Sequence, residues 1–145
     1  ALFQIYGFHT RAEPVVAGSV GRWLQASIRD EVEAAVSGLH KMIPAGGTSL
    51  YKALAVAKKL SARPDNILLV TDGLPTQGRS KPTDTTVSAA SRLKHFETAV
   101  NNLPSGLPVT TILLPMEGDA YAAAACWKLA VDTRGSFLTP ARDWP

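Results

Sequence analysis

The sequence predicts an α/β domain built on an open, doubly wound, Rossmann-like sheet, mostly parallel, with helices layered on both sides. Three observations carry that prediction. Short apolar runs alternate along the chain with stretches whose apolar residues recur at helical spacing. Two of those runs, 66–71 and 108–114, are nearly uninterrupted, as strands covered on both faces are. Each is followed by a helical segment of the length a right-handed crossover needs. At 145 residues and 15.4 kDa the chain fits one domain, 1–145, large enough to bury a core.

The elements follow in order. Leu2 to Phe8 is β-rich and Glu13-Pro14-Val15-Val16 follows a polar turn, a hairpin in which Pro14 places the second strand at a sheet edge. Asp30 with Glu33 forms a capping-box pattern, and Val32, Val36, Leu39 and Met42 fall on one helical face. After the turn-forming Pro44-Ala45-Gly46-Gly47-Thr48, a second helix carries Leu50, Leu54, Ala57 and Leu60 and closes at Arg63-Pro64. The first buried strand ends at Asp72, and a polar loop spans 76–87. A helix from Ser88 to Asn101 carries Leu93, Phe96 and Val100. The second buried strand stops at Pro115, and Asp119 is placed to cap an Ala-rich helix that ends near Gly135. Ser136 to Leu138 closes as a short strand.

Composition removes several function classes. The apolar share of 46% and mean hydropathy of +0.04 describe a folding chain, and no apolar run has the roughly 20 residues needed to cross a bilayer. This segment is expected to make no membrane contact. The net charge of +3 is scattered rather than gathered on one stretch, which argues against nucleic-acid binding. Cys126 stands alone in an Ala-rich helix beside Trp127, so both read as core and a cysteine-based metal site is excluded. No phosphate-cradling glycine motif is present. The chain begins at Ala1 without a signal-peptide pattern and reads as a processed or excised piece.

In open α/β sheets, ligands bind beyond the carboxyl ends of the strands. Asp72 lies at such an end, where it is either a turn-capping residue helped by Gly73 and Pro75 or an oxygen ligand for a hard cation. Thr48 follows Gly46-Gly47 just before a helix, so it is either an N-cap or a hydroxyl offered to the same ion. A hydroxyl and a carboxylate on separate loops suit Mg²⁺, which prefers oxygens and keeps several waters.

Those two loops, "GGTSLYKAL" (46–54) and "NILLVTDGLP" (66–75), resemble the second and third loops of the metal-ion-dependent adhesion site of von Willebrand factor A domains. The resemblance continues along most of the chain. "FQIYGFHT" (3–10) is similar to that family's second strand, "VTTILLPME" (109–117) to its penultimate one, and "LAVDTRGSFLTP" (129–140) to its last helix and strand, with Arg134 in place of a usual glycine. The resemblance implies a doubly wound sheet with one antiparallel edge strand. It implies that Thr48 and Asp72 hold Mg²⁺ or Mn²⁺, with Gly46, Gly47 and Gly73 shaping the loops. It further implies a binding function, in which a partner protein's acidic residue completes the ion's shell, and no catalysis.

One departure matters. The family's first loop, Asp-x-Ser-x-Ser, occurs nowhere in the sequence, and the nearest analogue, Asp84-Thr85-Thr86, is misplaced. The strand leading to that loop would lie in mid-sheet. The expectation is therefore an N-terminally incomplete domain, whose missing strand and helix precede Ala1 or come from another chain. With two ligands alone, affinity for the ion should be weak. The resemblance points to a bacterial protein and, if an anchor lies upstream, to the cell envelope. Two alternatives stand beside the adhesion reading. One is a scaffold of the same fold that binds partners without a metal. The other is a serine hydrolase using Ser19 in Gly18-Ser19-Val20-Gly21, with Asp72 and His95 completing the order of Ser, acid and His, although His95 falls in a helix.

Overall fold

The computed structural model describes residues 1–43, 45–82, 86–114 and 116–140. Along the chain these form β1 (Leu2–Phe3), β2 (Tyr6–Phe8), β3 (Ala12–Pro14), β4 (Leu24–Gln25), α1 (Arg29–His40), α2 (Leu50–Ala57), β5 (Ile67–Thr71), α3 (Ala89–Val100), β6 (Val109–Leu113), α4 (Ala122–Thr133) and β7 (Phe137–Leu138). The fold is mixed α/β. Its centre is a parallel sheet of order β5-β6-β7, in which Leu69 pairs with Thr111 and Thr111 with Phe137. The two apolar runs become β5 and β6, neighbouring parallel strands joined through α3.

Strand periodicity divides that sheet into two unlike faces. Leu69, Val109, Thr111 and Leu113 are buried, and they pack with Leu50 and Leu54 of α2, Phe96 and Ala99 of α3, and Ala122, Cys126 and Leu129 of α4. Each fully buried leucine here contributes about 1.5–3 kcal/mol of transfer free energy. The other face carries Leu68 and Val70, which are 61% and 49% exposed, and exposed Leu138. Coverage on both faces, expected from the uninterrupted apolar run, is not found among the described residues. An apolar run reports which side chains avoid water, not whether anything has been brought to cover them.

The single doubly wound sheet expected from the sequence is not found among the described residues. The hairpin β2–β3 pairs antiparallel, with Tyr6 opposite Pro14, but forms its own two-stranded sheet, and β1 pairs with β4 in another. Among the described residues β5 is an edge. Ile67 donates to Pro108 O and Thr71 O accepts from Leu114, so by alternation the N–H and C=O groups of Leu68 and Val70 point away from β6.

The helices differ from the sequence reading in instructive ways. In α1, Ile28 is the N-cap without a side-chain bond, and Asp30 lies in the first turn rather than capping it. Arg29 instead pairs with Glu33 on the surface at 2.6 Å. Its stripe of Val32, Val36, Leu39 and Met42 is exposed, because α1 packs against the short β4 rather than the main core. The second helix ends at Ala57, a turn before Arg63-Pro64. Trp127, expected in the core, points outward, while Cys126 beside it is fully buried. The α4 helix ends at Arg134, whose φ of 59° is the left-handed conformation that glycine usually supplies. Trp144 and Asp84-Thr85 lie outside the described residues.

Candidate functional site

The turn at the tip of β5 is held by a threonine, not by its aspartate. Thr71 Oγ1 donates to Gly73 O at 3.0 Å and accepts from Gly73 N at 3.4 Å. Asp72 is exposed, and its carboxylate makes no hydrogen bond or ion pair among the described residues. Of the two roles open to it in the sequence, turn capping is therefore filled by its neighbour.

The same holds for Thr48. The N-cap of α2 is Ser49, whose hydroxyl accepts from Lys52 N at 3.4 Å and donates to Gly78 O at 2.7 Å. The fully buried Ser49 is thereby satisfied twice, and the partly buried Thr48 hydroxyl is not used in capping. Thr48 contributes its backbone instead. Its N–H donates to Thr76 Oγ1 at 2.8 Å, and its carbonyl accepts from Thr76 N at 3.0 Å and Gln77 N at 3.1 Å. Buried Gln77 returns a bond from Nε2 to Gly47 O at 3.4 Å. On the other side, Ser49 N donates to His9 O at 2.8 Å and Lys52 Nζ to Thr10 O at 2.8 Å. The Thr48 loop is thus tied to both the β2–β3 turn and the segment that begins at Asp72. Gly47 permits this closeness, since a Cβ there would lie 2.8 Å from Thr76 Oγ1.

A second cluster grips the Asp72 loop from behind. Asp119, whose side chain is 2% exposed, accepts through Oδ2 from Leu74 N at 2.7 Å, and the same oxygen forms an ion pair with Arg92 Nη2 at 2.7 Å. Arg92 in turn donates to Leu74 O from Nη2 at 2.6 Å and from Nε at 3.2 Å. Both ends of Leu74 are held, and the two groups that hold them are themselves paired. A Cβ on Gly73 would lie 2.5 Å from Asp119 Oδ2, so glycine is required for this approach. Asp119 does not cap α4 with its side chain; Tyr121 is the N-cap, and only Asp119 O accepts from Ala122 N, at 3.2 Å. Asp119 Oδ1 is buried without a partner. Burial first, and the Asp119 charge second, push the Cys126 thiol up to about 11.

The structure therefore ties together the loops of the two residues read as metal ligands and adds members that local sequence did not mark: Ser49, Thr76, Gln77 and Arg92. The only hint was a polar Thr-Gln-Gly directly after a strand tip. Beside these loops lies an open cleft of about 580 Å³, lined by Thr10, Gly46, Gly47, Gln77, Lys81 and Arg92. No group of three or more His, Cys, Asp or Glu is gathered among the described residues. No described helix is long and apolar enough to cross a membrane.

Ser19 is placed differently. It is 3% exposed, its hydroxyl donates to Val16 O at 2.7 Å, and the next element is the short β4 rather than a helix. A nucleophile elbow needs an exposed hydroxyl between a strand and a helix. His95 lies within α3, against Gly78. Compared with known protein families, curated proteins and solved structures, the chain matches none.

Proposed function

We propose that the chain is a protein-interaction or assembly module of the adhesion type, which holds Mg²⁺ or Mn²⁺ through Thr48 and Asp72 and binds an acidic residue of a partner protein there. The observation that carries this reading is the tie between the Thr48 loop and the segment following Asp72. In support, Asp72 is exposed at the carboxyl end of parallel strand β5, and neither its carboxylate nor the Thr48 hydroxyl is spent on capping. The donor set fits a hard divalent cation in part: both atoms are oxygens and one is charged. When bound, such an ion supplies an electrophilic position open to an incoming carboxylate. Thr48 and Asp72 would orient it, and Lys81 at the rim of the cleft adds attraction for an acidic partner.

The test is thermal unfolding of the chain with and without Mg²⁺. At an ion concentration ten times Kd, one site adds about 1.4 kcal/mol, or about 3–6 °C in Tm. The gain should vanish in Asp72→Ala. A Tm indifferent to both the ion and the substitution leaves a scaffold of the same fold without a metal.

A second reading, compatible with that scaffold, is favoured by the outward groups of β5. Leu68 and Val70 present exposed apolar side chains and outward backbone groups on one strand. A strand added to this edge would pair the outward backbone groups, and an element packed on the open face would cover the side chains. Amide exchange of Leu68 and Val70 should then slow on addition of the completing strand and be unchanged by Mg²⁺.

A further inference from the structure

We propose that Asp119 and Arg92 are positioning residues for the Asp72 carboxylate, acting through Leu74. This rests on the divalent-ion reading of Thr48 and Asp72.

Beyond Thr71 the chain leaves the β6 ladder, and the Thr71 hydroxyl alone secures Gly73. A glycine in such a turn is conformationally permissive, so Asp72 would sample many directions. Leu74 removes that freedom. Its N–H is held by Asp119 and its C=O by two nitrogens of Arg92, while the 2.7 Å Arg92–Asp119 bond fixes the holders relative to each other. Charge-assisted bonds of this kind are shorter and stronger than neutral ones, and a guanidinium fork is rigid. The anchors come from β6–α4 and α3, whereas Thr48 comes from the loop before α2. Separate elements thus fix Asp72 and Thr48, and a two-ligand site depends on that fixing because it has no spare ligand to correct a misplaced one.

The choice of residues supports a dedicated role. An ion pair with one member 98% buried is poor evidence for stability, since desolvation offsets most of its attraction. Asp119 also leaves Oδ1 without a partner among the described residues. A pair kept under such terms, with its side-chain hydrogen bonds directed at the N–H and C=O of Leu74, two residues beyond Asp72, is explained by what it holds in place.

The experiment uses Mn²⁺ and the full chain. Arg92→Met and Asp119→Asn should each weaken Mn²⁺ binding roughly 10- to 100-fold, the range for residues that orient a ligand. Asp119→Asn keeps an acceptor for Leu74 N–H and should fall at the lower end. In an Asp72→Ala background, the same substitutions should change the residual affinity less than about twofold, because their effect runs through Asp72. A purely structural role predicts equal losses in both backgrounds. Leu74 amide exchange, read by NMR, should accelerate in Arg92→Met at unchanged circular dichroism. If the wild-type chain binds Mn²⁺ and both variants bind it equally well, the positioning role is overturned and the ion site survives. If the wild-type chain binds no Mn²⁺, the ion reading fails and this proposal fails with it, whatever the exchange of Leu74.

Discussion

The two faces of the β5-β6-β7 sheet are made by alternate residues of the same strands, yet they meet different surroundings. Leu69 is 4% exposed beneath α2, α3 and α4, while Leu68 and Val70, one residue to either side, stand open. The site at the strand tip belongs to the covered half. Its anchors Arg92 and Asp119 come from the α3 and α4 side, and Ser49 and Thr48 from the start of α2. The loops that carry Thr48 and Asp72 are therefore held from the half of the molecule that is packed.

Substitution of adjacent residues gives the largest contrast. Leu69→Ala should cost about 3 kcal/mol in denaturant unfolding, the cost of a buried cavity, while Leu68→Ala should cost below about 0.5 kcal/mol. Equal costs would mean that the open face is covered in solution.

The next effect follows from Cys126, buried beside outward-facing Trp127. Its thiol is held at about 11, above the ordinary 9.0. A raised acid binds its proton more tightly in the folded state. Its contribution is complete below about pH 9 and is lost as pH rises from there toward 11, by up to roughly 2 kcal/mol. Unfolding followed across that range should show the loss, and Cys126→Ala should flatten it.

A smaller gain is expected within the covered face. Thr111 is fully buried and its hydroxyl has no partner among the described residues, so Thr111→Val should raise stability by about 1 kcal/mol. Absence of any gain would indicate that the hydroxyl is satisfied in solution. The smallest effect concerns Arg134, where glycine should relieve left-handed strain by about 0.5–1 kcal/mol, read as a small rise in Tm.

Which of these features could be read from the sequence follows from how local each signal is. The β5 and β6 strands and the α3 helix were legible because apolar runs and helical spacing are written in consecutive residues. The β1–β4 pairing was not, since two-residue strands carry no periodicity. Thr48 and Ser49 are both good N-caps, and the bond from Lys52 N to the Ser49 hydroxyl decides between them. Asp119 was visible as an acid at a strand end, but its partner Leu74 lies 45 positions away and Arg92 reads as one more charge on an amphipathic helix. The open face was least legible, because burial of a strand depends on elements that its own residues do not encode.

The central claim is that Thr48 and Asp72 together hold a divalent ion. Mn²⁺ binding to the chain, followed through loss of the free-ion electron paramagnetic resonance signal, tests it directly. The account predicts saturable binding of about one ion per chain with Kd roughly millimolar, weakened at least tenfold in Asp72→Ala and less in Thr48→Ala. Mn²⁺ binding that is absent, or that survives Asp72→Ala unchanged, would contradict it.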